Sequence, residues 1–154
     1  MASHIVLLRG INVGGKRKLP MADLRHLLTK LGCTEVRTYV QSGNAVLKHP
    51  EGSKALAKTI AAGIQEQLGI DVPTQMLSLK QLEGIVAKNP FIKEKGIDLT
   101  KLHVTFVDKA PKAEDVAKIA AGTYDKDRFI VDGTVVYLHC PVDYGHKKLN
   151  NTFF

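Results

Sequence analysis

The sequence has 154 residues, 44% hydrophobic and 24% charged, with a formal net charge of +7; this is one domain or two very small ones, able to hide roughly 70% of its unfolded surface in a core. Cys33 and Cys140 are its only cysteines, with no CxxC pair and no zinc-type His/Cys spacing, so neither a disulfide framework nor structural zinc is expected, and a reducing compartment is. No apolar run approaches the roughly 20 residues of a membrane span, and Met1-Ala2-Ser3-His4 leads directly into apolar residues rather than a basic leader, so the expectation is a cytoplasmic protein with no membrane partner.

In chain order, Ile5 to Leu8 reads as a buried strand, apolar on both faces. A long loop over Gly10–Leu19 follows, and Pro20 stands at the first position of a helix. Leu24, Leu27, Leu28 and Leu31 form its apolar stripe, and Gly32 stops it. Val36–Gln41 reads as a strand, Ser42-Gly43 as a turn and Asn44–Lys48 as the returning strand. Leu56, Ile60, Ile64 and Leu68 predict a helix over 53–68, closed by Gly69, and Val72–Leu77 a strand with Pro73 at its start.

Ser78 and Gln81 form a capping box for a connecting helix that ends at Asn89-Pro90. Residues 91–100 read as a linker. Leu102, Val104 and Phe106 alternate in a strand, and a weakly amphipathic helix covers about 112–121. Arg128–Val131, the Asp132-Gly133 turn and Thr134–Cys140 form a hairpin, and Asp143 caps a last helix reaching Phe154. The predicted fold class is α+β, with two tandem ferredoxin-like (βαββαβ) units over 1–78 and 101–154, joined by a helix and linker over 79–100. The second unit lacks its last strand in this chain. The apolar end Phe153-Phe154 implies that the native protein continues or that this end packs unusually.

Residues 1–78 hold ten Lys/Arg against five Asp/Glu, and 79–154 hold twelve against ten, so the positive excess sits in the first half. Arg9, Lys16, Arg17 and Lys18 lie in one stretch with no acid among them, which favours an anionic partner. The segment Gly10-Ile11-Asn12-Val13-Gly14-Gly15-Lys16-Arg17 nearly spells a phosphate-binding P-loop. The motif requires Ser or Thr after the Lys to hold Mg²⁺, and a helix opening there; Arg17 and the late Pro20 meet neither requirement. Glycine backbone N–H groups, nearby cations and a following helix N-terminus still suit an anion. A solvated connector is the bland alternative.

Gln41, Ser42 and Asn44 are the second candidate group, as ligand-binding polar side chains or as turn formers. With the first and third strands taken as parallel, this hairpin and the glycine loop fall at opposite ends of the sheet. They then share a site only if the loop folds back or the second unit intervenes. In the second unit, strand alternation puts His103, Tyr137 and His139 on one non-core face, with no carboxylate beside them; no metal site is expected there. The first unit has no aromatic residue on its central strands, so base stacking is poorly supported and contact with nucleic-acid phosphates is the remaining nucleic-acid mode.

Leu7-Leu8-Arg9-Gly10-Ile11-Asn12-Val13-Gly14-Gly15-Lys16 and Tyr39-Val40-Gln41-Ser42-Gly43-Asn44 resemble two landmarks of the bacterial family called domain of unknown function 1697. Leu102–Phe106, Tyr137–Pro141, Tyr144-Gly145 and Lys148-Leu149 resemble its later blocks. The resemblance implies a cytosolic bacterial protein with two related α/β halves, and implies no activity. Two departures stand out. Family members run on through an Arg-Asn-Trp-like segment, and this chain has no Trp; His146 replaces the usual Arg after Tyr-Gly.

These residues support a binding module for a phosphate-bearing ligand, either a small molecule or nucleic-acid backbone. Its expected contacts are Arg9, Gly10, Asn12, Gly14, Gly15, Lys16, Lys18, Gln41, Ser42 and Asn44. No cofactor is expected. The alternatives are an enzyme acting on a phosphorylated or nucleotide-like substrate, and a non-catalytic assembly protein. No nucleophile–base set or carboxylate pair is readable from spacing, and the oligomeric state is open.

Overall fold

The structure, a computed structural model, describes residues 1–122, 124 and 126–142. The chain divides into two compact units, Met1–Gly84 and Ile85–Phe154. The first contains β1 (Ala2–Leu8), α1 (Met21–Lys30), β2 (Thr34–Tyr39), β3 (Asn44–His49), α2 (Ser53–Leu68) and β4 (Thr74–Ser78), and the start of α3 (Leu79–Lys88). Its sheet has the order β2-β3-β1-β4, with every neighbouring pair antiparallel.

Strand alternation explains which face is covered. Val6, Leu8, Ala45 and Leu47 meet Leu24, Leu27 and Leu28 of α1 and Leu56, Ile60 and Ile64 of α2 in one core. His4 is buried with them and hydrogen-bonded, with Nδ1 2.8 Å from Ser53 Oγ and Nε2 3.3 Å from the His49 carbonyl. α2 spans 53–68 and closes at Gly69, as its stripe predicts. Pro20 is the residue before the first turn of α1 rather than a member of it. The capping box of α3 forms: Ser78 N–H donates to Gln81 Oε1 at 2.8 Å, and Gln81 N–H donates to Ser78 Oγ at 3.1 Å.

The second unit contains the end of α3, a 3₁₀ turn at Leu99–Lys101, β5 (Leu102–Phe106), α4 (Ala113–Ala120), β6 (Arg128–Asp132) and β7 (Val135–His139). Its antiparallel sheet has the order β5-β7-β6. The expectation of two tandem ferredoxin-like units is therefore overturned. The described chain is an α+β protein with four helices and two small antiparallel sheets, of four and three strands.

The two units solve their burial differently. Val136, Leu138 and Cys140 face one core, with Val107, Tyr124, Phe129 and Val131 packed against it. On the opposite face of β7, buried Tyr137 donates its hydroxyl to the Ile85 carbonyl at 3.1 Å. Phe91, from the expected linker, is also buried, with its ring centroid 6.1 Å from that of His139. The expected helix over 143–154, including Tyr144, Gly145, His146, Lys148, Leu149 and the Phe153-Phe154 pair, lies outside the described residues. Among the described residues no helix is long and apolar enough to cross a membrane.

Candidate functional site

Pairing in the first unit decides where the two sequence candidates lie. β1 and β3 are antiparallel, with Val6 opposite Ala45 and Ile5 opposite Val46. The end of β1 and the start of β3 consequently lie at the same end of the sheet. This corrects the expectation that the glycine loop and the hairpin stand at opposite ends. No intervention by the second unit is needed to join them.

Asn12 makes the junction. Its Nδ2 donates to the carbonyls of Leu19 and Gln41, each at 2.9 Å, and its Oδ1 accepts from Leu19 N–H at 2.8 Å. One amide side chain thus closes the loop on itself and ties it to the hairpin. Ile11 completes the attachment by packing, buried, against Gly43. A side-chain carbon at Gly43 would collide with Ile11 Cδ1 and lie 3.0 Å from Leu8 Cβ, and the residue has φ +78°. Only glycine meets both conditions.

Beyond Asn12 the loop turns back on itself. Asn12 N–H donates to the Arg17 carbonyl at 3.1 Å and Lys16 N–H donates to the Val13 carbonyl at 3.2 Å. Gly14 and Gly15 form the tip, with φ +59° and +73°, the positive values that a tight two-residue reversal needs. A side-chain carbon placed at either would meet no atom within 4 Å. Lys16, Arg17 and Lys18 are exposed, and among the described residues none of them has an ion-pair partner. Arg17 Nη1 would stand 3.4 Å from a side-chain carbon at Gly10. Arg9 is exposed at the end of β1, and its N–H donates to the Pro73 carbonyl at 3.1 Å.

The hairpin connection has four residues, Val40 to Gly43, rather than the two-residue turn expected, because Tyr39 pairs with Asn44 as the last rung. Ser42 Oγ donates to the Tyr39 carbonyl at 2.8 Å and lies 3.3 Å from the Asn44 N–H. Asn12 and Ser42 are therefore parts of the mount, while Lys16, Arg17, Lys18 and the exposed Gln41 side chain are the groups presented outward. Tyr39 and Val40, absent from the sequence-derived set, are exposed beside them. The period-two alternation of Arg37 with Tyr39 in β2 was the available signal.

In the second unit, the expected clustering of His103, Tyr137 and His139 on one face does not occur. Leu102 pairs with His139, Val104 with Tyr137, and His103 with Leu138. Directly paired residues share a face, so His103 points opposite to the other two. Burial, with Lys101 adding, pushes the His103 imidazole below its ordinary value. Among the described residues no group of three His, Cys, Asp or Glu side chains is placed to hold a metal ion.

The second unit does contain a cleft of about 700 Å³, lined in part by Phe91, Val116, Tyr124, Phe129 and Ile130. Arg128 borders it and donates Nη1 to Glu94 Oε1 at 3.0 Å and Nη2 to Oε2 at 2.7 Å. Its guanidinium carbon lies 4.8 Å from the Phe91 ring centroid. The Arg128 hydrogen bond holds the Glu94 carboxyl below its ordinary value, and Glu94 in turn raises that of Arg128. The cleft was not foreseen, because its lining comes from segments joined only by packing.

No curated protein matches the sequence. A conserved bacterial protein, SP0830 from Streptococcus pneumoniae, has a similar structure, with a TM-score of 0.72 and 25% identity, over 90% of this chain and 77% of that one. Residues 1–137 match the family described as "Protein of unknown function (DUF1697)", and the chain belongs to that family.

Proposed function

We propose that the first unit binds a phosphate-bearing ligand at the Gly10–Lys18 loop. The observation that carries this reading is the Gly14-Gly15 tip, with open space over both residues and three exposed cations, Lys16, Arg17 and Lys18, following it. Glycine at such a tip permits an anion to approach main-chain N–H groups, and the cations add charge-assisted hydrogen bonds. The mount supports the reading as well, since Asn12 and Ile11 hold the loop in place before any ligand arrives.

The test is a thermal-shift screen of nucleotides, sugar phosphates and oligonucleotides against the wild-type protein and a Lys16→Ala/Lys18→Ala variant. Loss of both ammonium groups should weaken a phosphate ligand by about 2–4 kcal/mol, at roughly 1.5–3 per charged hydrogen bond with some overlap. Stability without ligand should change by less than about 0.5 kcal/mol, because both side chains are exposed. A ligand that stabilises both proteins equally binds elsewhere.

A second reading, an enzyme acting on a phosphorylated or nucleotide-like substrate, draws support from the cleft of the second unit. Its volume of about 700 Å³ falls within the usual range of small-molecule sites. Glu94 is already engaged by Arg128. A ligand lost on Arg128→Met substitution but retained by the lysine variant would favour this second site.

A further inference from the structure

The sheet of the first unit presents a second surface beside the loop. Helices α1 and α2 cover the face bearing Val6, Leu8, Ala45 and Leu47. The alternate residues of β2 and β3, namely Arg37, Tyr39, Val46 and Lys48, lie on the opposite face. Tyr39 is 71% exposed there, and Val46 49%. The adjoining Val40 and Val13 are 64% and 68% exposed. The Gln41 carbonyl is tied to Asn12, and Ser42 binds the Tyr39 carbonyl. The tyrosine and the cationic loop are therefore fixed to the same short stretch of chain. Val40, the next residue after Tyr39, is exposed and has φ +45°, a costly conformation for a β-branched residue.

We propose that this surface binds single-stranded nucleic acid. A base stacks on the Tyr39 ring, and backbone phosphates lie along Arg37 and the Lys16, Arg17 and Lys18 loop. The inference rests on the reading of that loop as a phosphate site and adds the class of ligand. Charge complementarity supports it: the chain carries +7, and the first 78 residues hold twice as many Lys/Arg as Asp/Glu. Exposure supports a polymer over a small metabolite, because Tyr39 and Val40 are largely open to solvent, whereas small-molecule sites bury most of their ligand. A single strand fits better than a duplex, since stacking on an exposed ring needs an unstacked base. Aromatic platforms beside cationic tracks bind single strands with little sequence preference. Tyr39 lies on β2, an edge strand of this sheet, and not on the central strands β3 and β1.

Fluorescence anisotropy of the full chain with a labelled mixed-sequence oligonucleotide about 12 nucleotides long tests this. Tyr39→Ala should weaken binding about 5- to 100-fold, while Tyr39→Trp retains it. The slope of log affinity against log salt should stay as in wild type for Tyr39→Ala. It should fall by about 1.4 for Lys16→Ala/Lys18→Ala, at roughly 0.7 per phosphate contact of a single strand. An abasic strand of equal length should bind like the intact strand binds Tyr39→Ala. Equal binding of abasic and intact strands by wild type overturns the stacking inference and leaves the phosphate reading of the loop intact. Failure of the oligonucleotide and of inorganic polyphosphate alike sinks both. Tighter binding to duplex of the same length, or to phosphatidylserine vesicles in place of the oligonucleotide, also overturns the single-strand inference.

Discussion

Replacing Asn12 with Ala removes three hydrogen bonds at once, two donated by Nδ2 at 2.9 Å and one accepted by Oδ1 at 2.8 Å. Each is worth about 0.5–1.5 kcal/mol net. Two of them satisfy the N–H and C=O of Leu19, a fully buried residue, so their loss strands main-chain groups away from water. Asn12 also has φ +54°, a region that Asn tolerates and Ala resists by roughly 1 kcal/mol. Together these give a loss of about 2.5–5.5 kcal/mol, a large part of the 5–15 kcal/mol that typically holds a domain folded. Asn12→Gly separates the contributions, because glycine accepts the backbone angle and loses only the bonds. Asn12→Asp keeps an acceptor for Leu19 N–H but turns a carboxylate oxygen toward two carbonyls, so it should not rescue. The measurements are urea denaturation and amide exchange at Leu19. If the Ala variant unfolds within about 0.5 kcal/mol of wild type and Leu19 stays as protected, Asn12 is not the clamp.

The two kinds of glycine at this site should respond differently to Ala. Gly43→Ala combines φ +78° with contact against Ile11 and Leu8 and should lower stability by about 2–4 kcal/mol, whereas Gly15→Ala, with open space around it, should cost only about 1–2 kcal/mol; equal losses in thermal or urea melts would contradict the packing argument. His103 has its folded value pushed below the ordinary 6.5, so its stabilising contribution is complete above about pH 6.5 and lost as pH falls through the folded value. His103→Gln should remove that part of the pH dependence of stability, and an unchanged slope would count against it. Arg128→Met should let the Glu94 carboxyl rise toward its ordinary 4.5, as followed by NMR titration; a Glu94 that stays low owes its shift to another partner.

Local signals and non-local ones were not equally legible in the sequence. The stripe of Leu56, Ile60, Ile64 and Leu68 and the Ser78/Gln81 box each lie within a few helical turns, and both formed as expected. Sheet parity is different. The alternation within β5 and within β7 is readable, but only their register decides which half of each strand shares a face. Leu102 opposite His139 puts His103 on the other side from His139. A strand buried on both faces gives little warning, and Tyr137 and Leu138, adjacent in β7, are both buried. The tandem reading failed for a related reason. Element order does not carry packing: the far side of the second sheet is met by Ile85 and Phe91, which the sequence presents as helix end and linker.

The direction of β3 settles the geometry of the site, and it follows from connectivity. A helical crossover after β1 returns the chain to begin β2 at the starting end of the sheet, so β2 runs in the direction of β1. The hairpin then reverses it, which makes β3 antiparallel to β1, as the pairing of Val6 with Ala45 shows. The loop leaving β1 and the hairpin entering β3 must then meet. Their polar residues divide by role once they do. Asn12 and Ser42 face inward to carbonyls, and Gly43 yields its side-chain space to Ile11. What remains outward is the part that no local packing requires: the Gly14-Gly15 tip, Lys16, Arg17, Lys18 and the Tyr39 ring. Buried Ile11 and the three hydrogen bonds of Asn12 anchor the base of the loop that carries the cationic tip. Ordering a loop costs roughly 1–2 kcal/mol per residue in conformational entropy, and the anchored base lowers the part of that cost left for the proposed ligand to meet.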